Sequence, residues 1–280
     1  MDSFRTTPPT VRVRRRVASS RLAPVAALPV RLTQVARHDA RVLRLSARWL
    51  VASREHTNLT YDLTELNLDQ LAWFVASAAG LPIARARGYL RELEQDDDLR
   101  RHVDHRTAAS TRRGIADRKV RYGRRLGWYA LARALRPGHV VETGTDKGLG
   151  SCVLAAALLR NGAGQLTTID TNPQAGYLVT GRYREVTDLR IGSSLAVLPQ
   201  LTTPVDMFLH DSDHAPEYER AELRAVAERL AAGAIVMSDN ADVTDELARW
   251  AEATGRRFLY FAERPADHWF PGGGIGIAVD

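Results

Sequence analysis

The 280-residue chain is poor in several things, and each scarcity narrows what it can be. It has one cysteine, Cys152, so no intrachain disulfide can form; a reducing, cytoplasmic setting is expected. Cys152 lies inside an apolar helical pattern and reads as inert core. No apolar run approaches the length of a membrane span. Leu22 to Val30 follows an arginine-rich stretch, but it is short and carries Pro24 and Pro29. A secretory signal is therefore not expected. Nor is there a pattern of aromatics interleaved with basic residues, which argues against a nucleic-acid surface. The excess of Lys plus Arg over Asp plus Glu, net +6, is largely arginine near the N-terminus. It bears on that segment, as a solvated tail or a contact for an acidic surface, and not on the main domain.

What is present divides into three regions. Residues 1–35 hold Pro8-Pro9 and Arg14-Arg15-Arg16 and read as a basic, loosely packed segment. Residues 36–114 read as an all-helical cap. Val42, Leu45 and Trp49 mark one stripe. A second helix is expected to start at Asn67 as N-cap and to end at Gly80, and a third to follow Pro82. Such a cap is a candidate homodimer face or lid. Residues 115–280 alternate short apolar strands with helices: 140–141, 166–169, 189–191, 205–209, 234–237, 258–261 and 275–279. This pattern predicts an α/β fold with a doubly wound, seven-stranded, mostly parallel sheet. The last two strands have no room for a crossover helix between them, so they must pair antiparallel.

Ligands of open α/β sheets bind beyond the carboxyl ends of the strands. Polar residues gather at those ends here. The first gives Glu142-Thr143-Gly144-Thr145 and runs through Gly148 and Gly150 into a helix, a glycine turn that lets backbone approach a ligand. The second gives Asp170-Thr171-Asn172, where a carboxylate suits a ribose diol. The third gives Gly192-Ser193-Ser194, the fourth His210-Asp211-Ser212-Asp213-His214, and the fifth Ser238-Asp239-Asn240.

The stretch Val141 to Gly150, with Asp170 beyond it, resembles the first two motifs of class I S-adenosylmethionine-dependent methyltransferases, and the antiparallel final hairpin is a mark of that fold. The likeness covers about residues 120–280. Asp211-Ser212-Asp213-His214 with Ser238-Asp239-Asn240 is similar to small-molecule O-methyltransferases, including bacterial ones. The resemblance implies S-adenosylmethionine as cofactor and a small-molecule hydroxyl as acceptor. It places Gly144, Gly148 and Ser151 on the methionine part, with Glu142, Thr145 and Asn172 nearby. Asp170 falls on the ribose, and Gly192 with Ser193 or Ser194 near adenine; Asp211 borders the cofactor. Relatives often carry an acid where this chain has Ser193. The same likeness implies a divalent cation such as Mg²⁺ held by Asp211, Asp239 and Asn240, a hard oxygen set. His214, with Asp211, is the candidate for taking the acceptor's proton.

Other readings of these residues stand beside those. Asp239-Asn240 could cap a helix, Asp213 could cap the helix at Pro216, and His214 could be a structural hydrogen-bonder. Asp267-His268-Trp269 could close over substrate or cover the core. The rival functions are an RNA methyltransferase and a non-catalytic protein of the same fold.

Overall fold

The computed structural model describes residues 23–55, 59–239 and 241–280. The chain forms two compact units, Met1–Ser53 and Arg54–Asp280. Part of the expected basic segment, residues 1–22, lies outside the described residues, as do residues 56–58 and 240.

In the first unit a short helix α1 (Ala23–Ala26) leads into a long helix α2 (Leu28–Ala52). Pro29 sits in the first turn of α2, where a missing N–H costs nothing. The helix thus begins well before the expected stripe and runs across residue 35. None of its residues is buried.

In the second unit the helices α3 (Glu65–Ala79), α4 (Ile83–Glu94) and α5 (Asp97–Ala109) join the sheet domain in one body. The N-cap of α3 is Thr64, whose hydroxyl accepts from the Asn67 N–H; Asn67 is not the cap expected from sequence. Asn67 is fully buried instead, donating to the Ala262 carbonyl and accepting from the Arg264 N–H. A good capping residue was diverted to a long-range role that local pattern does not reveal. Gly80 ends α3 with φ +62°, as expected. Asp96 is the buried N-cap of α5 and accepts from the Leu99 N–H, so the run Asp96-Asp97-Asp98 is a helix start.

The remaining elements are α6 (Arg125–Leu135), β1 (His139–Thr143), α7 (Leu149–Asn161), β2 (Gln165–Asp170), α8 (Arg182–Glu185), β3 (Thr187–Ile191), α9 (Ser194–Val197), β4 (Val205–His210), α10 (Pro216–Ala227), β5 (Leu230–Ser238), α11 (Glu246–Ala253), β6 (Arg257–Ala262) and β7 (Gly274–Val279). The seven strands lie in the order β3-β2-β1-β4-β5-β7-β6, and β7 runs antiparallel to both its neighbours. Strand β5 starts four residues earlier than its apolar core suggests, because Leu230 pairs with Val205 before a register shift.

Alternation along the strands sets the layers. Val140, Met207, Leu209 and Ile277 face a core shared with Leu71, Trp128 and Leu154. Val141, Phe208, Val236 and Ala278 face Leu223 and Val226 of α10 and Leu247 and Ala251 of α11. Both faces are covered, so the strands read as apolar runs, and polarity is left to their ends. The order of connections reverses between β1 and β4, which opens a crevice above their carboxyl ends.

Candidate functional site

A cavity of about 680 Å³ occupies that crevice. Gly144, Asp146, Ile169, Asp170, Gly192 and Ser194 line one part of it, at the ends of β1, β2 and β3. Asp211, His214 and Asp239 line another, with Tyr61, Arg124 and Phe270.

The residues expected on the cofactor side are fixed by backbone geometry. Gly144 has φ +90°, and a Cβ there would overlap the carbonyl of Asp211. Only glycine lets the ends of β1 and β4 come this close. Gly148 has φ +91° and precedes α7; a Cβ would meet Val179 at 2.6 Å. The Asp170 carboxylate accepts from two backbone N–H groups, Asp146 and Asn172, both at 2.8 Å. It is thereby held in one orientation at the cavity wall. The Asn172 side chain turns back onto the Gln174 N–H, so Asn172 shapes this loop. Ser193 is exposed beside half-buried Gly192, whereas Ser194 is buried.

Glu142 and Ser151 do not face the main cavity. Glu142 is buried, and its carboxylate accepts from the Ser151 and Thr168 hydroxyls. Burial pushes its pKa up to about 7, against the pull of those two hydrogen bonds. Thr145 is buried too and bonds Thr168. Glu142 and Thr145 border a small adjoining recess with Asp146, Lys147 and Arg125. Ser151, expected on the methionine part, spends its hydroxyl on Glu142.

Arg125 was not foreseen. It is 6% exposed, its guanidinium lies 5.2 Å from the Trp128 ring, and it borders both the cavity and the recess. Its Nε has no hydrogen-bond partner among the described residues.

Across the cavity, Asp211 lies close to Asp239. Burial and that neighbour hold the Asp211 carboxyl well above the usual range, partly offset by Arg125 and Arg124. His214 is exposed at the rim, and partial desolvation lowers its pKa, so the imidazole is neutral near pH 7. Asp213 accepts from the Ala215 N–H in the turn just before α10; Ala215 is the N-cap and has no side-chain cap, so Asp213 does not cap this helix as the sequence suggested. Asp239 does not cap a helix: α11 starts only at Glu246, whose N–H is taken by Thr244.

Asp239 is engaged by Arg124. Arg124 Nε and Nη2 donate to the two Asp239 oxygens, while Nη1 donates to Glu263 at 2.7 Å. Glu263, with its side chain fully buried, also accepts from the Arg124 N–H, the Tyr61 hydroxyl and the Gly273 N–H. Burial opposes the charge on Arg124, but Asp239 and Glu263 overcome it and hold the guanidinium protonated. Asn240 lies outside the described residues. No group of three or more His, Cys, Asp or Glu among the described residues is placed to hold a metal. The described side chains thus do not present the free oxygen set expected from Asp211, Asp239 and Asn240, because the carboxylate of Asp239 is taken by a guanidinium.

Beneath these residues Glu222 of α10, fully buried, ties three strand ends together. It accepts from His210 at 2.6 Å, Thr143 at 2.7 Å and Ser212 at 2.8 Å, and from Ser194. His210 is accordingly structural. In the last loop, His268 packs 5.3 Å from the Tyr61 ring and accepts from the Phe270 N–H.

Residues 141–241 match the family described as methyltransferase domain. No curated protein sequence matches the chain significantly. Two solved structures superpose with a TM-score of 0.51. One is cofactor-bound Rv0187 from MTB, at 19% identity over 66% of this chain and 90% of that one. The other is the O-methyltransferase from Bacillus cereus in complex with SAH, at 17% identity over 66% and 92%. The chain has the class I S-adenosylmethionine-dependent methyltransferase fold. The seven strands and the antiparallel β7 agree with the sequence expectation. No helix among the described residues is long and apolar enough to cross a membrane.

Proposed function

We propose that this protein methylates a hydroxyl of a small molecule, using S-adenosylmethionine. The observation that carries the reading is the cavity itself. Residues from five strand ends meet there, with the Asp170 carboxylate on one side and His214 on the other. The likeness of residues 141–241 to a methyltransferase domain supports it.

The chain fits the cofactor in three respects. The backbone at Gly144 leaves open the room that a side chain would fill. Asp170, oriented by two N–H groups, keeps acceptor capacity for the ribose hydroxyls. Arg125, buried with an unused N–H at the recess, suits the methionine carboxylate. Gly192 and Ser193 would border adenine.

When bound, S-adenosylmethionine supplies an electrophilic methyl carbon, which joins the acceptor oxygen as the carbon–sulfur bond breaks and sulfur keeps the electron pair. The protein's part is to hold the acceptor oxygen in line and to remove its proton. Neutral His214 can take that proton. Asp211, whose carboxyl burial and Asp239 hold toward its protonated form, lines the cavity beside it as a hydrogen-bonding group. Phe270, Tyr61 and Leu59 line the wall for an apolar acceptor body. A homodimer through the N-terminal helices belongs to the same proposal and is checked by light scattering.

The direct test is transfer of isotopically labelled methyl from S-adenosylmethionine to a panel of phenols and alcohols. Labelled ether product, lost in His214→Gln with Asp211→Asn, is expected. Cofactor binding without transfer to any acceptor would point to a non-catalytic protein of this fold.

A further inference from the structure

We propose that Arg124 stands in the acceptor site where a divalent cation would otherwise be needed, so that methyl transfer here is metal-independent and requires only a single acceptor hydroxyl. The inference builds on the reading of this cavity as a methyl-transfer site.

The guanidinium is a planar fork with five N–H donors and a charge that does not titrate in the physiological range. Two of its nitrogens engage the two oxygens of Asp239, and the third engages Glu263. A small hard cation such as Mg²⁺ needs several oxygens in near-octahedral array. To gain Asp239, it would have to displace Arg124 from a side chain that is 1% exposed. That would also strip Glu263, whose side chain is fully buried, of its charged partner.

The clamp is built from separated parts of the domain. Arg124 precedes α6, Asp239 follows β5, Glu263 follows β6, and Tyr61 comes from the segment before α3. Tyr61 donates to the same Glu263 oxygen at 2.6 Å, and the Gly273 N–H reaches it at 3.2 Å. The guanidinium that substitutes for the cation is thus held by three other segments, at Asp239, Glu263 and Tyr61. Since Arg124 also lines the cavity, it presents a fixed positive charge to the acceptor side without open coordination positions. A cation binds acceptors by chelating two neighbouring oxygens, whereas a guanidinium has no such requirement. The acceptor class that follows is a monohydroxyl compound, with a vicinal diol or catechol giving no advantage.

The test is Mn²⁺ titration of the full chain followed by electron paramagnetic resonance, with no acceptor or cofactor required. Wild-type protein is expected to bind no Mn²⁺ at this site up to about 1 mM, and Arg124→Met to gain at least about tenfold in affinity. Asp239→Asn in the Arg124→Met background should remove that gain. Stoichiometric Mn²⁺ binding by wild type that is lost in Asp239→Asn would overturn the proposal, and it can be read even where Arg124→Met does not fold. A folded Arg124→Met with no gain would overturn it as well. Failure of the methyl-transfer reading itself would show differently, as absence of S-adenosylmethionine binding in EDTA.

Discussion

The half of the cavity proposed for the cofactor and the half proposed for the acceptor are built in different ways. The cofactor half comes from consecutive strand–turn–helix units. Gly144, Asp146 and Asp170 sit within one βαβ stretch, and their geometry is set by glycine conformations and backbone hydrogen bonds. The acceptor half is assembled from distant parts of the chain. Arg124 and Asp239 are 115 residues apart, and Tyr61 and Glu263 are 202 apart. A local half can be kept while the other is varied, which suits a fold whose cofactor is constant and whose acceptors differ.

Breaking the acceptor half should have the largest structural effect. Arg124→Ala leaves Asp239 and Glu263 buried without their cation and is expected to cost about 3–5 kcal/mol. By differential scanning fluorimetry that is a fall in Tm of about 10 °C. Arg124→Lys should recover part of it, because one charge returns without the fork. An unchanged Tm in Arg124→Ala would mean that the clamp contributes nothing.

In the cofactor half, Glu142 provides a pH test. Its folded-state pKa, about 7, lies above the ordinary 4.5. The folded chain therefore holds a proton that the unfolded chain has released. That stabilising contribution is fully present below about pH 4.5 and is lost as pH rises through about 7, a change of about 3 kcal/mol. Denaturant unfolding of wild type against Glu142→Gln across this window is the measurement. The variant should show a flatter profile, and parallel profiles would refute the assignment.

Asp170→Ala should weaken S-adenosylmethionine binding by about 2–2.7 kcal/mol, or roughly 30- to 100-fold, since the proposed charge-assisted bonds to the ribose would be lost. The smallest effect is expected from coupling across the halves. His214→Gln combined with Asp170→Ala should be additive in cofactor affinity within about 0.5 kcal/mol. A larger coupling would show that the halves are not independent.

The same contrast explains what the sequence disclosed. Strands β1 to β7 carry apolar runs bounded by polar ends, and the crossover rule determines that β7 is antiparallel, so fold and strand-end residues could be read directly. Asp170 and Gly144 followed from position in that pattern. Arg124 and Arg125 form a basic pair at the start of a helix, indistinguishable by local pattern from a solvated helix start. Glu263 lies in a loop after an edge strand, and Glu222 reads as one polar residue of an amphipathic helix. Their partners are set by tertiary packing, so no local signal marks them. Asn67 and Ser151 show the reverse, residues with a strong local role in sequence that burial redirected to other partners.

The most direct test of the central claim is isothermal titration of S-adenosylmethionine into the full chain in EDTA, with Asp170→Ala alongside. The account predicts one site of about micromolar affinity in wild type, weakened roughly 30- to 100-fold by the substitution. No binding to wild type, or binding that Asp170→Ala leaves unchanged, would contradict it.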